Sequence, residues 1–151
     1  MDIVSQEKRS SMMSSIHSKN TKPEMRIRKA LYSRGYRYRL HSSTILGKPD
    51  IVMRKYNAVI FIHGCFWHGH DCKLFRLPKT RTEFWENKIT ANRERDSKVM
   101  SILQKDGWRI AVIWECAMRG KGKMDFEDIM DSLTDWIESD SKTLILRGEK
   151  N

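Results

Sequence analysis

No apolar run in this 151-residue chain reaches 18 residues, which excludes a membrane-spanning helix. The first residues, Met-Asp-Ile-Val-Ser-Gln-Glu-Lys-Arg, lack the apolar stretch of a secretory signal. Cysteine is scarce and odd in number, at three, which suits neither a disulfide framework nor an oxidising compartment. A cytoplasmic protein with a metal site is the expectation. Internal repeats are absent. Acid is also scarce over most of the chain. Residues 1–55 hold 13 Lys/Arg against 4 Asp/Glu, and residues 56–123 hold 13 against 7. Only residues 124–151 reverse the balance, with 3 against 8. The first four-fifths of the chain thus carries a net +15, which the last segment lowers to +10 overall. Such a surface attracts polyanions, and nucleic-acid phosphate is the partner this distribution suggests.

The length suits one domain with a real core. We expect it to span residues 21–140. A polar, Ser-rich arm over 1–20 is expected to be mobile, and 141–151 is expected to be a tail without clear pattern. Thr21-Lys-Pro-Glu24 has the spacing of a helix cap, predicting a helix to about Ser33, with Gly35 ending it. Tyr36 to His41 alternates as a strand does. Gly47-Lys-Pro-Asp-Ile-Val-Met predicts a turn and a second strand, and Arg54-Lys-Tyr-Asn a short hairpin. Asn57 to His63 is nearly all apolar, as in a strand buried on both faces. Thr80 or Thr82 is expected to cap a long helix to about Lys105, closed by Gly107. Trp108 to Trp114 reads as another strand, and Asp125 to Ser139 as an amphipathic helix that should face away from nucleic acid. The order implies an α/β layered domain with a central mixed sheet flanked by helices.

Residues 63–72, His-Gly-Cys-Phe-Trp-His-Gly-His-Asp-Cys, place five borderline or soft metal ligands within ten positions. Cys65, His70 and Cys72 with the distant Cys116 make a Cys3His set of the kind a structural zinc takes. Spacing alone leaves His68 as an equal candidate for the histidine ligand. If His70 is taken, His68 is free to act as a general base, for which an ordinary histidine pKa of ~6.5 is suited. Asp50 opens a strand after a Pro-containing turn. It reads either as a turn carboxylate or, beside the end of the Asn57–His63 strand, as a Mg²⁺ ligand. Glu24 is either a capping residue or a carboxylate holding an ion's water. The middle of the long helix is polar all round. Either it is simply solvated, or Asp96 there orients a histidine. Phe84 is expected in the core. Phe66 and Trp67, fixed between metal ligands, have less freedom to turn inward, and rings placed so can unstack a weakly paired duplex.

Taken together, these stretches resemble the very-short-patch repair (Vsr) mismatch endonucleases over roughly residues 8–138. The resemblance rests on Lys-Asn-Thr with Glu24, Gly-Lys-Pro-Asp50, Val-Ile-Phe-Ile-His-Gly-Cys-Phe-Trp-His, Thr-Arg-Thr-Glu-Phe-Trp85 and Trp-Glu-Cys116. It implies a restriction-endonuclease-like fold with one structural zinc and two Mg²⁺ ions at the scissile phosphate. It implies a Mg²⁺-dependent endodeoxyribonuclease of the bacterial nucleoid that nicks 5′ of the thymine in T·G mismatches left by 5-methylcytosine deamination. Asp50 and the backbone carbonyl of Ile62 would hold Mg²⁺, and His68 would be the general base. Glu24 and His63 would orient the ion's waters or the phosphate. Cys65, His70, Cys72 and Cys116 would hold zinc. Phe66, Trp67 and Trp85 would intercalate, and Met13 would contribute from the opposite groove.

The superfamily's Glu-x-Lys is absent here, its place taken by Phe61-Ile62-His63. Ile62 stands where a relative has Thr, a swap that a main-chain ligand tolerates. The partner is expected to be duplex DNA with a T·G mismatch, bound by a monomer, with functional links to a cytosine-5 DNA methyltransferase and mismatch-repair proteins. Two other readings stand beside this one: a non-catalytic zinc-containing module for distorted duplex, and a nuclease for fully paired DNA.

Overall fold

Strand β3, Ala58–His63, carries no lysine, arginine or acidic residue and is buried at five of its six positions. In the computed structural model, which describes residues 20–149, it is the middle strand of a five-stranded sheet of order β1-β2-β3-β4-β5. The others are β1, Arg39–Leu40; β2, Ile51–Met53; β4, Arg109–Trp114; and β5, Thr143–Leu146. Neighbours from β1 to β3 run antiparallel, and those from β3 to β5 run parallel. The expected mixed α/β sheet is therefore present. The expected arm over 1–20 and Met13 fall outside the described residues, apart from Asn20.

Period-two alternation splits β3 between two cores. Ala58 and Ile60 point to one side, where Ile27 and Leu31 of α1 (Lys22–Ser33) meet Ile129, Leu133 and Ile137 of α4 (Phe126–Glu138). Val59 and Phe61 point to the other, against Leu103 and Val99 of α2 (Thr82–Lys105). Helices thus cover both faces of the sheet, which explains why β3 lacks polar positions. α4 is amphipathic as predicted, and the Asp125 side chain accepts from the Glu127 and Asp128 amides at 2.9 and 3.4 Å. A short helix α3, Glu115–Met118, follows β4 directly.

The hairpin between β2 and β3 turns through Arg54–Tyr56, with Asn57 left-handed at φ +51°. Its register sets Ile51 opposite Ile60, so Asp50 lies beside the end of β3. Gly47 (φ +81°) lets the turn before β2 press against α2, since a Cβ there would lie 2.4 Å from Val99 Cγ1.

Three expectations need correction. The cap of α2 is neither Thr80 nor Thr82. Arg81 occupies it with φ +56°, and the Thr82 hydroxyl donates back to the Pro78 carbonyl at 2.8 Å. Phe84 is not core: it is 43% exposed, with the Arg81 guanidinium 4.3 Å above its ring. The last dozen residues are not patternless, because β5 extends the sheet beside β4, with Leu146 buried. Removing residues 142–151 should lower the urea midpoint and reduce cooperativity. An unchanged denaturation curve would show that β5 contributes nothing to the fold.

Candidate active site and metal cluster

Among the described residues three clusters of ligating side chains converge where β3 ends. Ile62, His63 and Cys65 each enter one of them.

The first joins Glu24, Asp50 and His41. Thr21 caps α1, accepting from the Glu24 amide at 3.3 Å, and Glu24 Oε1 in turn accepts from the Asn20 amide at 3.0 Å. The capping reading of Glu24 is thus met through Oε1, which leaves Oε2 for other contacts. Its side chain is buried, and Oε2 lies 3.2 Å from Arg28 Nη1 and 2.7 Å from His41 Nε2. Asp50 Oδ2 accepts from the Ile62 amide at 2.7 Å. Burial, reinforced by the charge of Glu24, pushes the Asp50 carboxyl up to about 7, against the pull of the Ile62 amide. Among the described residues no lysine or arginine pairs with Asp50. Ligand atoms of Glu24, His41 and Asp50 all lie within 4.8 Å of one another, so the three could hold a cation. His41 is absent from the sequence-based site. Its only signal is its position at the end of a strand that pairs beside Asp50.

The second cluster is His63, His68 and Asp96. The two imidazoles stack with centroids 3.8 Å apart and planes within 6°. His63 is buried, and its Nδ1 has no hydrogen-bond partner among the described residues. Burial, then the neighbouring His68 and His70, hold its pKa well below the usual histidine range, so it stays neutral. His68 Nδ1 lies 2.6 Å from Asp96 Oδ2. A carboxylate can only accept, so Nδ1 carries the hydrogen and Nε2 presents its lone pair. The polar middle of α2 is thus a docking face. Asn92 donates to the Trp67 carbonyl at 2.9 Å, and Arg93 to the Gly69 carbonyl, one helical turn from Asp96. Gly69 (φ +60°) permits this approach, since a Cβ there would meet Arg93 Nε at 2.4 Å.

The third cluster holds Cys65, His70, Cys72 and Cys116. His70, not His68, lies among the sulfurs: its Nδ1 is 3.6 Å from Cys65 Sγ and 3.5 Å from Cys116 Sγ. The three cysteines are free of disulfides. Burial pushes the Cys65 and Cys116 thiols up, so an ion entering here must displace protons. The Gly148 amide donates to Cys116 Sγ at 3.3 Å, and the Asp71 carboxylate lies 3.6 Å from His70 Nε2.

Phe66, Trp67 and Trp85 form one cluster of half-buried rings, with centroids 5.2 to 5.9 Å apart. A cleft of about 360 Å³ opens between these rings and the start of α1, lined by Lys22, Ile62, His63, Trp67 and Arg119 among others. Aromatic faces, cations and the two histidine–carboxylate clusters therefore share one side of the molecule.

The family described as DNA mismatch endonuclease Vsr matches residues 1–74. The DNA mismatch endonuclease Vsr of Escherichia coli (strain K12) is 43% identical over 136 residues, covering 90% of this chain and 87% of that protein. The chain belongs to the Vsr family. The type II nicking enzyme V.NmeAIP of Neisseria meningitidis serogroup A is 51% identical over 120 residues, covering 80% of this chain and 86% of its own. V.XorIIP, a type II nicking enzyme of Xanthomonas oryzae pv. oryzae, is 46% identical over 124 residues, 82% and 91% of the two chains. Membership in the Vsr family carries the coarse function with it, an endonuclease acting on DNA. Among the described residues no helix is long and apolar enough to cross a membrane.

Asp50 supplies a test of the site's electrostatics. Its pKa is raised from 3.8 to about 7 on folding. Between those values the folded state keeps a proton that the unfolded state has lost, so stability falls as pH rises from about 4 to about 7 and then levels. Asp50→Asn removes the charge and keeps an acceptor for the Ile62 amide. Without added divalent ions it should stabilise the protein at pH 8 by on the order of 4 kcal/mol. The gain should shrink towards pH 4, as read by urea unfolding across pH. A gain independent of pH would refute the buried-charge account.

Proposed function

We propose that this protein nicks one strand of duplex DNA 5′ of the thymine in a T·G mismatch, using Mg²⁺ at Asp50 and His68 as the general base. The observation that carries the reading is the His68–Asp96 pair, 2.6 Å apart, near the Glu24–Asp50 carboxylate pair and a cluster of half-buried rings. The fold is then of the restriction-endonuclease type, with Asp50 at the mouth of the β2–β3 hairpin.

The donor chemistry fits both ions. Asp50 and Glu24 offer hard carboxylate oxygens close together, beside the Ile62 backbone whose amide bonds Asp50, as Mg²⁺ prefers. When bound, Mg²⁺ supplies the positive charge that stabilises attacking and leaving oxygens at phosphorus. The remaining work falls to the chain. Asp96 fixes the His68 ring and its tautomer. His68 Nε2 takes the proton of the attacking water as its oxygen bonds to phosphorus and the leaving oxygen departs. The neutral His63 ring, stacked on His68, holds that ring in place and adds no competing charge. Phe66, Trp67 and Trp85 insert beside the mismatch, where unstacking is least costly. At the Cys3His cluster, Zn–S of about 2.3 Å and Zn–N of about 2.0 Å in a tetrahedron put S and N about 3.6 Å apart. The observed separations of 3.5 and 3.6 Å support zinc there. Its role is structural, holding the loop that presents His68 and the rings.

The decisive assay uses a labelled duplex carrying T·G or T·A, with Mg²⁺ or EDTA, and maps cuts on both strands. A single Mg²⁺-dependent nick 5′ of the mismatched thymine is expected. Equal cutting of T·A would point to a nuclease for paired duplex, and binding without cutting to a recognition module. Asp50→Ala and His68→Ala should each lower nicking by at least about a thousandfold while mismatch binding persists. Near-normal nicking by either variant would remove that residue from its role. Cys116→Ser should lower the zinc content of the purified protein, measured by mass spectrometry, together with its melting temperature.

A further inference from the structure

His41 touches both acidic residues of the first cluster by different means. Its amide donates to the Asp50 carbonyl at 3.1 Å, continuing the pairing of Leu40 with Ile51. Its ring reaches the other way, with Nε2 2.7 Å from Glu24 Oε2. The backbone makes this possible by entering the left-handed region, at φ +46°. Histidine is among the few non-glycine residues enriched there. One residue therefore ties the end of β1 to Asp50 through the main chain and to α1 through its side chain.

Glu24 is shaped by this contact. Among the described residues three donors reach its carboxylate: the Asn20 amide on Oε1, and Arg28 Nη1 and His41 Nε2 on Oε2. The first two belong to α1 and its cap, and so move with Glu24. His41 alone of the three comes from the sheet that carries Asp50. It links the Glu24 carboxylate itself to the strand end beside Asp50.

We propose that His41 is a positioning residue for the divalent-ion site, holding the Glu24 carboxylate at the separation from Asp50 that the ion needs. This rests on the reading that Glu24 and Asp50 serve such an ion. Groups that orient a ligand typically change metal affinity by about tenfold to a hundredfold when removed. The defect should therefore appear as weakened ion binding and be relieved at high ion concentration.

The test compares His41→Asn and His41→Gln in the full chain with its cysteine cluster metal in place. Asn tolerates the left-handed backbone but is too short to reach Glu24. Gln keeps a side-chain donor of greater reach. Mn²⁺ binding to the DNA-free protein is read by the electron paramagnetic resonance of the free ion, with Asp50→Ala as the baseline. The Mg²⁺ dependence of nicking is read separately. His41→Asn should weaken Mn²⁺ binding and raise the half-saturating Mg²⁺ by about tenfold, with the saturated nicking rate within about threefold of the parent. His41→Gln should recover most of both. Unchanged ion binding in His41→Asn would overturn the proposal. So would a lowered saturated rate with unchanged ion affinity, or a Gln variant as impaired as Asn, which would make the imidazole itself a ligand. If the parent protein binds Mn²⁺ but nicks no duplex, the functional reading fails and the Mn²⁺ comparison still decides the role of His41. If the parent binds no Mn²⁺ above the baseline, this proposal falls.

Discussion

Two neighbouring carboxylates, Glu24 buried and Asp50 half-buried, impose the constraint around which this end of the molecule is built. Glu24 comes from the first turn of α1 and Asp50 from the turn before β2, so no local sequence rule brings them together. Like charges sharing a buried site disfavour ionisation. The surroundings answer with donors: the Asn20 and Ile62 amides, the Arg28 guanidinium and the His41 ring. These stop short of neutralising Asp50, whose carboxyl remains pushed up to about 7. A folded state that tolerates such an uncompensated group sacrifices stability at the place where a cation would restore it. That pattern accords with the ion site proposed for Glu24 and Asp50.

The end of β3 acts as a ruler. Over four positions it places Ile62 against Asp50, His63 under His68, and Cys65 among the sulfurs. The strand is held by β2 on one side and β4 on the other, so these positions inherit the rigidity of the sheet's middle. α2 supplies the opposing surface. Asn92, Arg93 and Asp96 project from one face onto the loop that follows β3, and bond to its carbonyls and to His68. The catalytic histidine of the proposed mechanism is thus fixed between a strand end and a helix, with the cysteine cluster closing the loop behind it.

Much of this was legible in the residues, and the failures have physical causes. The apolar run of β3 and the period of α4 reflect burial, which sequence patterning reports directly. The cysteine–histidine spacing announced a cluster, yet spacing could not choose between His68 and His70. That choice depends on which way the loop turns, and on α2 offering Asp96 to one ring and not the other. His41 carried no signal because its contact with Glu24 spans 17 positions and depends on strand register and a left-handed backbone. Phe84 was misplaced because a ring beneath a guanidinium is satisfied at the surface, where hydrophobicity alone would send it inward. β5 escaped because four residues of mixed burial beside Arg147 are too short to carry a period.

The cysteine cluster also has a meaning for the chain as a polymer. His70 and Cys116 lie 46 positions apart, and Arg147 reaches back 76 positions to Asp71, which adjoins His70. An ion held by residues on both sides of α2 and β4 staples a long loop. Such a staple removes conformations from the unfolded ensemble, and the entropy removed grows with the length of loop enclosed. The enclosed segment contains all of α2 and β4, so an ion gripping residues at both of its ends would favour the docking of that helix and strand by the conformations it removes.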